Sequence, residues 1–196
     1  MDAEAIPASD AEGPSLAFDA EGNPAIAYQA DIVSLHLIRK TAGGWVTSTI
    51  AEDPEEYLEY TAVRLAFTPS GQAAVTYDSY FSEGRLTYAV FNEEEEEWQA
   101  SVISTASDWR FGSVLTFSPS GLPVVAYTLD ADLDQWPSNL AVATLKAGVW
   151  EKEYLGVTYA DKYESGRYGL AFSPGGQPAV VFSTGSSIRY AVKGGL

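Results

Sequence analysis

The 196-residue chain has no cysteine, which excludes disulfide stapling and thiol chemistry. It has one histidine, His36. A zinc site would have to combine that residue with carboxylates, a poor donor set. A Ser-His-Asp triad would need the same histidine, which lies inside the alternating run Ser34-Leu35-His36-Leu37-Ile38 and reads as a half-exposed sheet residue. Basic residues are scarce: 11 Lys and Arg stand against 27 Asp and Glu, a formal net charge of -16. That balance disfavours a nucleic-acid backbone or an anionic membrane as partner and suits a solvated acidic surface. There is no apolar run of about 18 residues that could span a membrane as a helix. Met1-Asp2-Ala3-Glu4 shows neither the basic nor the apolar part of a signal peptide, which leaves a cytoplasmic protein and a trimmed exported form both open. With no nucleotide loop and no metal-ligand cluster in the sequence, no cofactor is expected.

What the chain has in quantity is repetition. Leu16 to Tyr28 returns as Leu65 to Tyr77, Leu115 to Tyr127 and Leu170 to Phe182. The anchoring Phe18, Phe67, Phe117 and Phe172 lie 49, 50 and 55 residues apart, a period that indicates repeated supersecondary units. Each unit opens on a short alternating strand such as Leu65-Ala66-Phe67. A turn follows with glycine near its end, at Gly22, Gly71, Gly121 and Gly176, and in three copies with proline near its start, as in Ser118-Pro119. The second strand carries Tyr28, Tyr77, Tyr127 or Phe182, and the third reads Leu35-His-Leu-Ile38, Leu86-Thr-Tyr-Ala89, Leu140-Ala-Val-Ala143 and Ile188-Arg-Tyr-Ala191. Trp45, Trp98 and Trp150 open a fourth strand, with Ile50, Ile103 and Leu155 five residues on. The alanines at the end of the third strand are expected where units approach closely. The run Glu93 to Glu97 falls in the turn before Trp98 and is expected to be solvated.

An antiparallel four-stranded meander cannot bury both faces alone, and stacking such units about an axis does so. The expected fold is therefore all-β: a four-bladed β-propeller with four antiparallel strands per blade, in one domain over 1-196. The blades would cover approximately 15-52, 63-105, 113-157 and 168-193, with 1-8 added to the last. The fourth unit stops at Val192-Lys193-Gly194-Gly195-Leu196, where the others continue into tryptophan. At the other end Ile6 follows Met1 by five residues, as Ile50 follows Trp45. Residues 1-8 thus read as the displaced fourth strand of the last blade, the Leu-x-Phe strand being innermost and Pro7 tolerable on an outer edge. Two closures satisfy this count. A single chain closes as a four-bladed monomer, the simpler expectation, or two chains close one eight-bladed homodimer, each completing the other's blade.

The pattern Leu-Ala-Phe-x-x-x-Gly-x-Pro-x-Val-x-Tyr, then Leu-x-Tyr-Ala, then Trp, resembles bacterial β-propeller repeats of the sialidase-like and kelch-like kind over essentially the whole chain. Size and closure are similar to four-bladed hemopexin-like propellers. The resemblance implies the architecture. It assigns no catalytic residue: the sialidase Asp box, Ser-x-Asp-x-Gly-x-Thr-Trp, is not present, nor is the terminal cysteine pair of hemopexin domains.

On such a scaffold the turns between strands one and two and between three and four share a regular face. The second-to-third-strand loops and the blade connectors share the opposite face, and they vary. Variable loops on a regular frame mark the expected binding face. They carry Asp78, Tyr80 and Arg85; Asp108, Trp109 and Arg110; Asp130 and Trp136; and Tyr159 and Asp161. Aromatic rings beside carboxylates and arginine suit a sugar or a peptide. The alternative is that Trp109 and Trp136 only cap the rim. Asp130-x-Asp132-x-Asp134 has calcium-like spacing, but Gln135 and Ala141 stand where a calcium loop needs glycine and glutamate, so no metal is assigned. The first functional expectation is a non-enzymatic binding or scaffold propeller for a carbohydrate or protein ligand. The alternatives are a carboxylate-based glycoside hydrolase or lyase at the ring opening, which needs two positioned carboxylates, and a ring-forming fragment with no evolved ligand.

Overall fold

The computed structural model describes residues 3-8, 11-52, 63-79, 84-105, 113-129, 138-158, 168-183 and 187-192. Its fifteen strands make four antiparallel sheets, a four-bladed β-propeller arrangement, as the repeats imply. Blade one holds β1 (Glu12–Phe18), β2 (Pro24–Asp31), β3 (Ser34–Thr41) and β4 (Gly44–Glu52). Blade two holds β5 (Arg64–Phe67), β6 (Ala73–Ser79), β7 (Arg85–Asn92) and β8 (Glu97–Thr105). Blade three holds β9 (Ser113–Phe117), β10 (Pro123–Leu129), β11 (Ser138–Lys146) and β12 (Val149–Thr158). Blade four holds β13 (Tyr168–Phe172), β14 (Pro178–Ser183) and β15 (Ile188–Val192). Every sheet is a simple meander in chain order.

The hairpin between the first two strands explains the Gly signature. Gly121 N–H donates to Ser118 C=O at 2.8 Å, closing the turn, with Gly121 at φ 84°, where a Cβ would be strained. Ser118 Oγ then accepts from Leu122 N–H at 3.0 Å, and Thr68 and Ser173 do the same in their own blades. In blade one the cap is Asp19, whose Oδ1 accepts from the N–H groups of Glu21 and Asn23. Each residue of the Glu93–Glu97 run is exposed, as expected of a charged turn.

Period-two alternation gives each sheet two apolar faces. Blade one turns Ala25, Ala27, Leu35, Leu37 and Ile50 toward Leu65, Val75, Tyr77 and Ala89 of blade two. Blade two turns Ala74, Leu86, Tyr88 and Ile103 toward Val125, Tyr127, Ala141 and Ala143 of blade three. Blade three turns Ala126 and Leu140 toward Tyr168, Val180 and Phe182 of blade four, with Ala191 alongside. Each large side chain sealed in such a seam contributes about 1.5–3 kcal/mol. The alanines of the third strands face the preceding blade in all three seams, as their size suggests.

The fourth seam differs. β1 packs on β5, β5 on β9 and β9 on β13, with no comparable contact between β13 and β1. No core cluster joins blade four to blade one among the described residues. Leu16 and Phe18 on blade one are each 59% exposed, and Ile188 and Tyr190 on blade four are 82% and 70% exposed. Among the described residues the N-terminal segment does not complete the last sheet, contrary to expectation. Residues 3-8 form no strand, and the described part of the last sheet has three. The segment is held instead on blade one, where Glu4 accepts from Lys40 Nζ at 2.5 Å and from Trp45 Nε1 at 3.2 Å.

Candidate functional site

Blade connectors enter the inner strands at the same end at which the second strands leave for their loops. At that end each blade carries a side chain just past its anchor tyrosine on the second strand: Gln29, Asp78 and Thr128 in the first three blades. All three project toward the following blade. Gln29 pairs across β2–β3 with Leu35, and Asp78 across β6–β7 with Leu86. Thr128 pairs across β10–β11 with Leu140. Gln29 and Thr128 are buried and Asp78 is half-buried, so a polar layer closes this end of the apolar seams.

The layer continues across the seams. Arg64, opposite Thr76 on the same face of blade two, donates from Nη1 to Val63 C=O at 3.0 Å. The buried hydroxyls of Thr76 and Ser113 hydrogen-bond across the seam between blades two and three at 2.7 Å. Ser15 Oγ accepts from Leu65 N–H at 2.9 Å, tying the inner strands of blades one and two. Tyr168 enters from blade four. Burial pushes its phenol well above the ordinary tyrosine range, and the Asp78 carboxylate pushes it further. Thr128 and the Arg64 cation pull the other way, by lesser amounts. Among the described residues, groups from blades two, three and four therefore act on one another here, with one carboxylate, one guanidinium and a phenol held neutral.

Of the residues expected at the site, the structure places two. Asp78 belongs to the layer. Arg85, next to it in the hairpin, pairs with Ser79 rather than with Asp78, so it lies on the opposite face of the sheet, toward blade one. Asp78 and Arg85 are thereby separated by the sheet despite their proximity in sequence. Tyr80, Asp108, Trp109, Arg110, Asp130, Trp136, Tyr159 and Asp161 lie outside the described residues. His36 is half-buried on β3, edge-on to Tyr28 with ring centroids 5.8 Å apart, in keeping with a sheet residue. Among the described residues no group of three His, Asp or Glu is placed to hold a metal ion.

Sequence reasoning missed Arg64, Ser113 and Tyr168. The available signal was positional. These residues stand one or two places before the repeated Leu-x-Phe strand, where a polar or large side chain breaks an otherwise uniform unit.

A further opening lies elsewhere among the described residues. An outward groove of about 700 Å³ runs between Ser48–Ile50 of blade one and Phe91, Glu93 and Trp98 of blade two. Its counterpart at the next seam is closed by Trp150, which donates from Nε1 to Ser101 Oγ at 3.1 Å and packs edge-on against Tyr88. The groove is thus a gap in a repeated seam. Beside it, Arg39 is sandwiched between the rings of Phe67 and Phe91 at 5.8 and 5.6 Å, and its burial lowers its pKa against the opposing pull of Glu93 and Asp19.

No family model matches the chain, and no curated protein matches it. Solved structures do. A thermostable family-43 glycoside hydrolase overlays with a TM-score of 0.57 and 11% identity, over 97% of this chain and 72% of that one. Complexed SREBP–SCAP binding domains from fission yeast give 0.49 at 10%, over 97% and 50%. An endo-arabinase from Bacteroides thetaiotaomicron gives 0.46 at 10%, over 91% and 72%. At these identities the first likeness speaks to the fold, and the other two are too loose to carry an argument.

Proposed function

We propose that the chain is a propeller module that binds a carbohydrate at the end of the inner strands where the connectors enter. The observation that supports this most is the convergence of Arg64, Asp78 and Tyr168 from two blades at that end. A guanidinium and a carboxylate beside a neutral phenol offer both donors and acceptors to hydroxyl groups, and aromatic rings in the adjoining loops would supply flat apolar area. The overlay on a glycoside hydrolase agrees with a sugar-directed surface. Glycoside hydrolysis uses two carboxylates, and among the described residues Asp78 is the one that acts on Tyr168.

Titration against a panel of neutral and acidic oligosaccharides tests the reading. Arg64→Ala and Asp78→Asn are each expected to weaken binding about 10- to 100-fold, the effect of losing one charge-assisted hydrogen bond. Arg85→Ala, on the far side of the sheet, should change affinity little. Equal binding by all variants would remove the site. A hydrolase remains the second reading, favoured by the same overlay. It requires release of reducing ends from a bound polymer, abolished in Asp78→Asn.

A further inference from the structure

We propose that two copies of this chain close one eight-bladed ring, blade four of each packing on blade one of its partner, with the partner's residues 3-8 added to β15 as a fourth strand. Three observations carry the inference.

The first is the repeat of the seams. Ile188 occupies the position of Leu35, Leu86 and Leu140, which are all 0% exposed, yet Ile188 is 82% exposed. Tyr190 stands where Leu37 and Tyr88 are buried. Leu16 and Phe18 of blade one present the surface that Leu65 and Phe67 offer to a preceding blade. The two open faces are therefore the two halves of a seam the molecule already builds three times. A second copy supplies both halves, and a half-turn about a twofold axis closes the ring.

The second is the resting place of the N-terminal segment. Trp150 donates to Ser101, which stands three residues after the tryptophan of the preceding blade's outer strand. Trp45 makes the same bond to Glu4, and Glu4 stands three residues after Met1, the tryptophan-equivalent position of the terminal segment. Ile6 is half-buried while its neighbours Ala5 and Pro7 are exposed. The segment thus already lies against blade one where the outer strand of a preceding blade belongs, without a strand beside it.

The third is the receiving edge. Among the described residues β15 pairs only with β14. A cavity of about 260 Å³ at the seam of blades three and four is lined by Val142 and Glu153, the counterparts of Tyr88 and Ser101 that enclose Trp150 one seam earlier. The start of an added strand falls there. The register follows from the other blades. Leu37 pairs with Ser48, Tyr88 with Ser101 and Val142 with Glu153, which sets Tyr190 opposite the partner's Glu4 and Arg189 opposite the partner's Ala5. A bulge in each fourth strand, at Ile50, Ile103 and Leu155, falls on Ile6, so Pro7 sits past the bulge on the outer edge.

Light scattering on the full chain should give twice 21.1 kDa. Ile188→Glu with Tyr190→Glu should give a monomer that keeps its β-sheet circular dichroism. Because the chain has no cysteine, strand exchange can be read separately. Chains carrying Ala5→Cys mixed with chains carrying Arg189→Cys should form a mixed disulfide dimer, and neither variant alone should cross-link. A monomeric wild type overturns the proposal, as do open higher oligomers or a dimer that survives the double glutamate. A chain carrying both cysteines that locks only onto itself overturns it in favour of closure within one molecule.

Discussion

At the scale of single residues, two of the buried phenols, Tyr88 and Tyr168, make stability depend on alkali. Burial raises Tyr88 from 10.0 to about 12, and it raises Tyr168 as well. A phenol that ionises less readily when folded holds its proton between the unfolded and the folded pKa, so the native state binds more protons there. Stability is accordingly complete below about pH 10 and declines as pH rises toward 12, by about 1.4 kcal/mol per unit for each phenol. Urea midpoints should be level from neutral to mildly alkaline pH and fall above pH 10, with phenolate absorbance rising together with unfolding. Tyr88→Phe should make the fall shallower. A midpoint that declines equally steeply in the variant would show that other groups govern the alkaline limb.

At the scale of elements, the strands and their turns were legible because each signal was local and printed four times. Gly121 with Ser118 fixes its hairpin whatever surrounds it. The bulge was less legible. The sequence shows Ile103 five residues after Trp98, and strict alternation would put these two residues on opposite faces. The bulge between the partners of Leu86 and Thr87 takes Ile103 out of the ladder. Trp98 packs toward blade one and Ile103 toward blade three, 2% exposed. Ile103→Ala should cost about 2–5 kcal/mol, as a truncation in a packed seam. The site was least legible, because it depends on which face a side chain takes. Asp78 and Arg85 read as neighbours in the chain, but the pairing of β6 with β7 sends them to opposite sides. Tyr168 could be connected to Asp78 only by bringing blades two and four to one end.

At the scale of the whole molecule, the same apolar seams that hold neighbouring blades together would hold two chains together, and net charge works against them. Each chain carries a formal -16, so two copies approach through mutual repulsion that contributes nothing to the seam itself. Screening shortens the reach of that repulsion from about 30 Å at ~0.01 M salt to about 8 Å at ~0.15 M. The bonds that would form at the seam are backbone ladder bonds and apolar contacts, which simple salt does not weaken. Dimer dissociation should therefore fall as sodium chloride is raised, opposite to an interface built on ion pairs. The ion pair of Lys40 with Glu4 is exposed and contributes little to hold the N-terminal segment, so its screening should not reverse the trend. Sedimentation equilibrium across that salt range reads the sign directly: tighter association with salt agrees with a repeated apolar seam between acidic bodies, and weaker association would mean that charge pairs at the interface dominate.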